Sequence, residues 1–487
     1  MILLSILNLI STLCSLIFQI LLVRVFGAHL ETDIYYLAIT IIQFISIVFS
    51  GFIMDLYIPV YNEIKVKNEK KASELVGGLI LLMSIISVIL FFLLIVFSSY
   101  IVKAFATGFN SEKIKFASKI ISTLAVTIIF TFLREIINAT LQANLFIYIT
   151  YLTPSIVPLM NTLFLLGFAS KYGIMGIIYA TVLSSFLSFL VSFLYLRKKI
   201  DIKFTNPFKN PNIFYLFKQN LPIRAGNIIY QFIGPLTTNV LSYLPTGYIT
   251  LYNYSNRILN ILFQIINLPI TQVLYIKSTD FLYTKNIEKL KNILLLTLRS
   301  TTIFFIIIIV PIIILFEKIF TILLGSKITS KEIVIINYLF LSLIPFFITI
   351  SFETPFTKIT MAMKRGIKIF QINILFIIIY TFFLLLFKFL NIYAIPAALF
   401  LAQITNTLAY IRTVNRDLHL IDFEFIKMVI KFSLFIVFLI IINLIFHNNF
   451  IYKLFLTSFL FFLWSLIIAK EDIILAINFI RKKGGIR

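Results

Sequence analysis

The chain has 487 residues, 60% of them hydrophobic, with a mean hydropathy of +1.04; 42 Lys and Arg against 19 Asp and Glu give a formal charge of +23. That apolar share excludes an ordinary soluble domain, and the scatter of the basic residues between apolar runs excludes a single nucleic-acid-binding patch. The lone Cys14 excludes an internal disulfide and any cysteine metal site.

A helix must run for roughly 20 apolar residues to cross a bilayer, and fourteen stretches have about that length. The first, 3–25, follows no basic leader and no small-residue cleavage site, so it is read as a retained span. Spans at 34–58 and 76–99 flank Lys65, Lys67, Lys70 and Lys71. The fourth, 118–142, carries Arg134 and Glu135, and spans at 146–170 and 173–196 follow. The longest hydrophilic stretch, residues 197–220, is too short and too interrupted by apolar residues to fold alone, which argues against a separate catalytic domain. Spans at 221–244 and 249–274 carry Arg224 and Gln231, and Asn256 and Arg257, respectively. Spans at 292–316, 333–353, 367–390, 393–411, 428–447 and 450–469 complete the set. The expected class is an all-α integral membrane protein.

With the N-terminus placed in the cytoplasm, 27 basic residues fall in inside loops and nine in outside loops. This bias puts both termini in the cytoplasm. Anionic lipid headgroups on that face are natural partners of the positive loops. A faint repeat accompanies the topology: Leu56-Tyr57-Ile58 recurs as Leu274-Tyr275-Ile276, an offset of 218, and at that offset Lys67 and Lys71 match Lys285 and Lys289. An even number of spans per copy makes the copies parallel, related by a pseudo-two-fold axis along the membrane normal. The expected organisation is a six-helix lobe over 1–200, a second over 201–411, and two further helices with a basic cytoplasmic tail over 412–487.

Charge inside hydrocarbon costs about 2.5–3.5 kcal/mol per residue on insertion scales. Arg134, Glu135, Arg224 and Arg257 are therefore candidate functional residues. Arg134 and Glu135 are neighbours on a helix and point about 100° apart, so each must find its own surroundings, either a structural bond to another helix or a wet cavity. Arg224 lies near the inner end of its span and could snorkel, whereas Arg257 lies deeper. Asp33, after Thr32 at the outer start of the second span, reads as a helix cap. The histidines fall apart in sequence and no phosphate-binding loop is present, so neither a metal site, nor an acid–base centre, nor ATP hydrolysis is expected, and no cofactor. The expected drive is the membrane potential or an ion gradient.

Val23-Arg-Val-Phe-Gly-Ala28 with Thr32-Asp33-Ile-Tyr-Tyr-Leu-Ala38, Tyr57-Ile-Pro-Val-Tyr-Asn-Glu63 and Leu251-Tyr-Asn-Tyr-Ser-Asn-Arg-Ile258 resemble segments of the MurJ (MviN) lipid II flippase family. This family belongs to the multidrug/oligosaccharidyl-lipid/polysaccharide exporter superfamily. The resemblance implies fourteen helices in two lobes around a cationic cavity that faces each side in turn, in a bacterial inner membrane. It implies a non-enzymatic flippase moving polyprenyl-diphosphate-linked glycan precursors to the outer leaflet, beside other cell-envelope biosynthesis proteins. Arg257 is similar to the family's helix-8 arginine, expected to hold the diphosphate, with Arg134, Arg224, Asn256 and Gln231 as further substrate contacts. Arg24 and Asp33 match motif positions where gating contacts are expected, and Glu135 is a structural candidate beside Arg134. The resemblance departs at Phe18-Gln19, at Ile10 to Leu13 and near Ile45-Ser46, where the family carries charged residues. Lipid II and a related lipid-linked oligosaccharide both fit. Two other readings stand: a cation-coupled multidrug exporter, which favours an acidic residue in the first span, and a membrane-embedded glycosyl- or acyltransferase.

Overall fold

The computed structural model describes residues 2–54 and 57–420 and scattered positions between 425 and 464. The helices are α1 (Ile2–Phe26), α2 (Leu30–Met54), α3 (Tyr57–Lys67), α4 (Glu69–Val96), α5 (Ser98–Phe105), α6 (Ser111–Leu124), α7 (Val126–Ala143) and α8 (Ile147–Lys199). They continue as α9 (Pro211–Gln231), α10 (Ile233–Leu241), α11 (Tyr248–Tyr283), α12 (Ile287–Leu324), α13 (Ser330–Ala362), α14 (Gly366–Leu386) and α15 (Ala394–Leu418). Among the described residues there is no strand. Among the described residues nine segments are long and apolar enough to cross a membrane, or ten with α11, which bends by 43° around Pro269. Pro269 lacks the N–H that would continue the helical ladder, which favours a kink. The chain is an all-helical, multi-pass membrane protein. The expected spans at 428–447 and 450–469 lie mostly outside the described residues.

Two local breaks follow from the sequence. Gly173 takes φ 58°, ψ −155° and kinks α8 near the junction of its two apolar spans, Tyr148–Ala169 and Lys171–Lys199. That left-handed φ suits glycine, which has no Cβ to clash. The stretch expected to form one span at 221–244 is instead two helices, because Pro235 cannot donate to the Gln231 carbonyl. The chain turns at Phe232, so Gln231 ends α9 while Thr238 and Asn239 sit on α10.

Contacts divide the chain into two compact units, Met1–Tyr254 with Leu324–Thr329, and Ser255–Leu323 with Ser330–Arg487. In the first, α1 packs along α8, α7 lies between α4 and α8, and α2 lies against α6 and α9. The division falls after residue 254 because α9 and α10 both pack on α2. In the second, α13 and α14 pack on α15 around buried Phe340, Phe356, Phe376 and Tyr380.

The 218-residue offset recurs in local structure. Asn68 caps α4 by accepting from the Lys71 N–H (3.1 Å), and Asn286 accepts from the Lys289 N–H (3.1 Å) at the start of α12. The break at Gly173 has its counterpart at Asn391, with φ 53° and ψ −127°. Tyr57 bonds Thr140 (2.6 Å), and at the same offset Lys358 lies over the Tyr275 ring (5.7 Å).

Candidate functional site

Two constructions in the first unit are built on expected residues. One is a clamp at the start of α11. Thr32 closes the α1–α2 turn itself: its hydroxyl accepts from the His29 N–H (3.0 Å) and donates back into the same turn. The Asp33 carboxylate, left over from that turn, reaches across to another helix. Asp33 Oδ2 accepts from the Gly247 N–H (2.6 Å), and Oδ1 accepts from the Thr250 N–H (2.8 Å) and hydroxyl (2.6 Å). A carboxylate on the unsatisfied N–H groups of a helix start is favoured by both hydrogen bonding and the helix dipole. So Asp33 does cap a helix, but one more than two hundred residues away in sequence.

Gly247 makes the close approach possible. Its φ is +98°, and a Cβ there would stand 2.5 Å from the Ala28 carbonyl oxygen. Gly247→Ala is therefore expected to destabilise the folded protein by about 1–3 kcal/mol. A thermal-aggregation midpoint in detergent equal to that of wild type would contradict this geometry.

The second construction is a charge cluster. Arg134 and Glu135 diverge as neighbours on a helix must. Arg134 Nη1 donates to Ser188 of α8 (3.2 Å), while the Glu135 carboxylate lies beside Ser50 of α2. Glu135 also feels the charges of both Arg134 and Arg224, so guanidinium groups from α7 and α9 stand within electrostatic range of one carboxylate. Arg224 is 4% exposed, too buried to be snorkelling to the interface. Its guanidinium lies directly against Gly51 of α2: a Cβ on that glycine would be 1.8 Å from Nη2 and 1.9 Å from Cζ. The glycine leaves the volume that the guanidinium fills. Asn138, one turn beyond Arg134, donates to Thr153 (3.1 Å) and accepts from Ser192 (3.0 Å), which ties α7 to both halves of α8.

Arg24, Gln231, Asn256 and Arg257 complete the expected set. Arg24 is exposed and runs past Gly325, in the turn after α12 that packs on α1. Gln231 is half-buried at the end of α9. Asn256 and Arg257, both half-buried, belong to the second unit, on α11. Gly51, Ser188, Gly247 and Thr250 were missed by sequence reasoning. The one available signal was a glycine inside an otherwise apolar span at 51.

The family model described as lipid II flippase MurJ matches residues 22–465. The chain belongs to the MurJ lipid II flippase family. Among curated MurJ relatives, a probable lipid II flippase of Buchnera aphidicola subsp. Schizaphis graminum is 24% identical over 304 residues, covering 60% of this chain and 58% of the relative. A second, of Buchnera aphidicola subsp. Baizongia pistaciae, is 24% identical over 358 residues, covering 70% of the chain and 69% of the relative. The MurJ flippase of Thermosipho africanus is 28% identical over 191 residues, or 39% of each protein. A solved MurJ in an inward closed conformation superposes with a TM-score of 0.79 at 22% identity, covering 97% of this chain and 100% of that one. An inward-facing multidrug transporter of the MATE family gives a TM-score of 0.69 at 14% identity, covering 85% of this chain and 98% of that one. At these identities the structural likenesses establish the fold alone, and the MurJ assignment rests on the family match.

Proposed function

We propose that this chain flips a polyprenyl-diphosphate-linked glycan precursor, lipid II or a closely related lipid-linked oligosaccharide, from the cytoplasmic to the outer leaflet of a bacterial inner membrane. The observation that carries the reading is the placing of Arg134 and Arg224 within electrostatic range of Glu135 inside an apolar helical bundle, in a chain of the MurJ family. Guanidinium groups suit a diphosphate because their planar fork donates two parallel hydrogen bonds to phosphate oxygens. Ionisable groups within membrane helices mark substrate paths more often than packing. Arg257 is a further diphosphate ligand in this reading, with Asn256 and Gln231 contacting the headgroup. Asp33 and Arg24 act at the outer gate: the Asp33 clamp on α11 holds in one state and releases in the other.

Movement by alternating access takes its energy from the membrane potential or an ion gradient, without a cofactor and without chemistry on the substrate. Both termini face the cytoplasm, and cell-envelope biosynthesis proteins supply and consume the cargo. On depletion of the protein, undecaprenyl-linked precursor is expected to accumulate on the cytoplasmic leaflet, and its sugar composition names the cargo. Unchanged precursor levels together with lost drug tolerance would favour the cation-coupled exporter instead.

Arg257→Ala is expected to insert normally and to lose complementation in a depletion strain. Growth equal to wild type at matched expression would remove Arg257 from the substrate contacts.

A further inference from the structure

Away from the charge cluster, the first unit contains a cavity of about 510 Å³. It lies where the start of α4, the α7–α8 turn and the segment after α8 converge, on the face that the lysine count assigns to the cytoplasm. Lys65, Lys70, Lys199 and Lys203 line it, with Glu69 and Asp201 as the only carboxylates in the wall. Among the described residues, none of these four lysines is in an ion pair. Glu63, close by in sequence, is taken by Lys67 (2.7 Å).

The wall is built rather than draped. Lys65 Nζ donates to Asn144 Oδ1 (2.6 Å), and Asn144 Nδ2 in turn donates to the Tyr61 hydroxyl (3.0 Å). Burial pushes the Tyr61 phenol above its ordinary pKa, so it keeps its own proton to donate. The segment after α8 is pinned to α4. Ser73 Oγ donates to the Asp201 carbonyl (2.6 Å) and accepts from the Lys203 N–H (3.1 Å), and Thr205 donates to the Glu74 carbonyl (3.0 Å). Gly77 admits this segment, since a Cβ there would lie 2.1 Å from the Lys203 carbonyl oxygen.

The second unit closes the matching corner differently. The position 218 residues after Lys199 is Asp417, which pairs with Arg365 (2.5 Å) at the α13–α14 turn. In the first unit Lys199 instead lies over the Phe146 ring (5.9 Å), and the corner stays open and basic. The fold does not by itself require an open basic corner.

We propose that this pocket binds a phosphate-bearing anion, carried either by a lipid headgroup at the cytoplasmic interface or by a soluble phosphorylated compound. Four lysines lining one cavity, a phenol O–H and a site at the bilayer edge suit phosphate by charge and hydrogen bonding. The inference is independent of what the chain transports.

The test uses the full-length protein in nanodiscs, with native mass spectrometry counting retained phosphatidylglycerol in mixed phosphatidylglycerol/phosphatidylcholine discs. Calorimetry with inorganic pyrophosphate, in neutral-lipid discs, is the second arm. Retention of phosphatidylglycerol that falls about 30-fold in Lys70→Gln/Lys203→Gln, but not in Lys71→Gln outside the pocket, supports a lipid-borne phosphate. The same pattern with pyrophosphate alone supports a soluble one. Binding in neither arm, or equal losses in the double variant and in Lys71→Gln, would overturn the site. The double variant exchanges surface lysines that make no side-chain bond within the fold, and a monodisperse elution profile confirms its integrity.

Discussion

Transport falls tenfold to a hundredfold in Gly51→Ala, by our account, while the protein remains as stable as wild type to within about 1 kcal/mol. The added methyl group would coincide with the Arg224 guanidinium, which stands 1.8–2.1 Å from the position of an ideal Cβ. The backbone need not move, because the obstructed atoms are the far end of a flexible side chain. The guanidinium is therefore displaced from its place against Gly51, with the bundle intact. If Arg224 binds the diphosphate, the variant loses a charge-assisted contact. Arg224→Ala should then match it, and Arg224→Lys should recover only part of the rate, since an ammonium has the charge without the bidentate fork. The measurement is complementation together with flipping in proteoliposomes, at matched insertion. Wild-type flipping in Gly51→Ala would show that the position of this guanidinium is irrelevant to transport.

The second large effect belongs to Asp33. Asp33→Ala removes three acceptor contacts and leaves the Gly247 and Thr250 N–H groups at the start of α11 without partners. Buried donors left unsatisfied cost about 1–3 kcal/mol each, so destabilisation of about 2–4 kcal/mol is expected, with loss of transport. Asp33→Asn separates the two contributions. Its amide keeps one acceptor oxygen but presents an NH₂ group toward the second N–H, so it should fold better than the alanine variant and still transport poorly. Thermal midpoints and flipping rates on the same preparations check this. A folded Asp33→Asn that flips at the wild-type rate would reduce the clamp to a structural cap.

Much of the architecture was legible because hydropathy and charge act over whole segments. Spans expected at 146–170 and 173–196 are the two halves of α8, and their division at Gly173 follows from a glycine placed where φ must be positive. The 218-residue offset was legible only in Leu-Tyr-Ile triplets and paired lysines; the caps at Asn68 and Asn286 and the breaks at Gly173 and Asn391 stand at the same spacing.

The single span read over 221–244 is interrupted at Phe232 for a local reason. Hydropathy carries straight through Phe232, while the missing N–H of Pro235 breaks the helix there. Site residues were legible as a set of costly charges, but not as a constellation. That Arg134 and Glu135 must diverge followed from helix geometry. That Arg224 would join Glu135 by lying against Gly51 depended on the packing of α9 on α2, a contact between positions 173 residues apart. Asp33 was read as a cap from its place after Thr32, and the identity of the capped helix is tertiary information.

The most direct test of the central claim is flipping itself. Purified protein would be placed in proteoliposomes with fluorescent lipid II, an imposed membrane potential and a membrane-impermeant quencher that reports the outer leaflet. Potential-dependent equilibration of the label between leaflets is expected, lost in Gly51→Ala and Arg257→Ala at equal protein content. Leaflet exchange no faster than in protein-free liposomes, for lipid II and for other diphosphate-linked glycans alike, would contradict it.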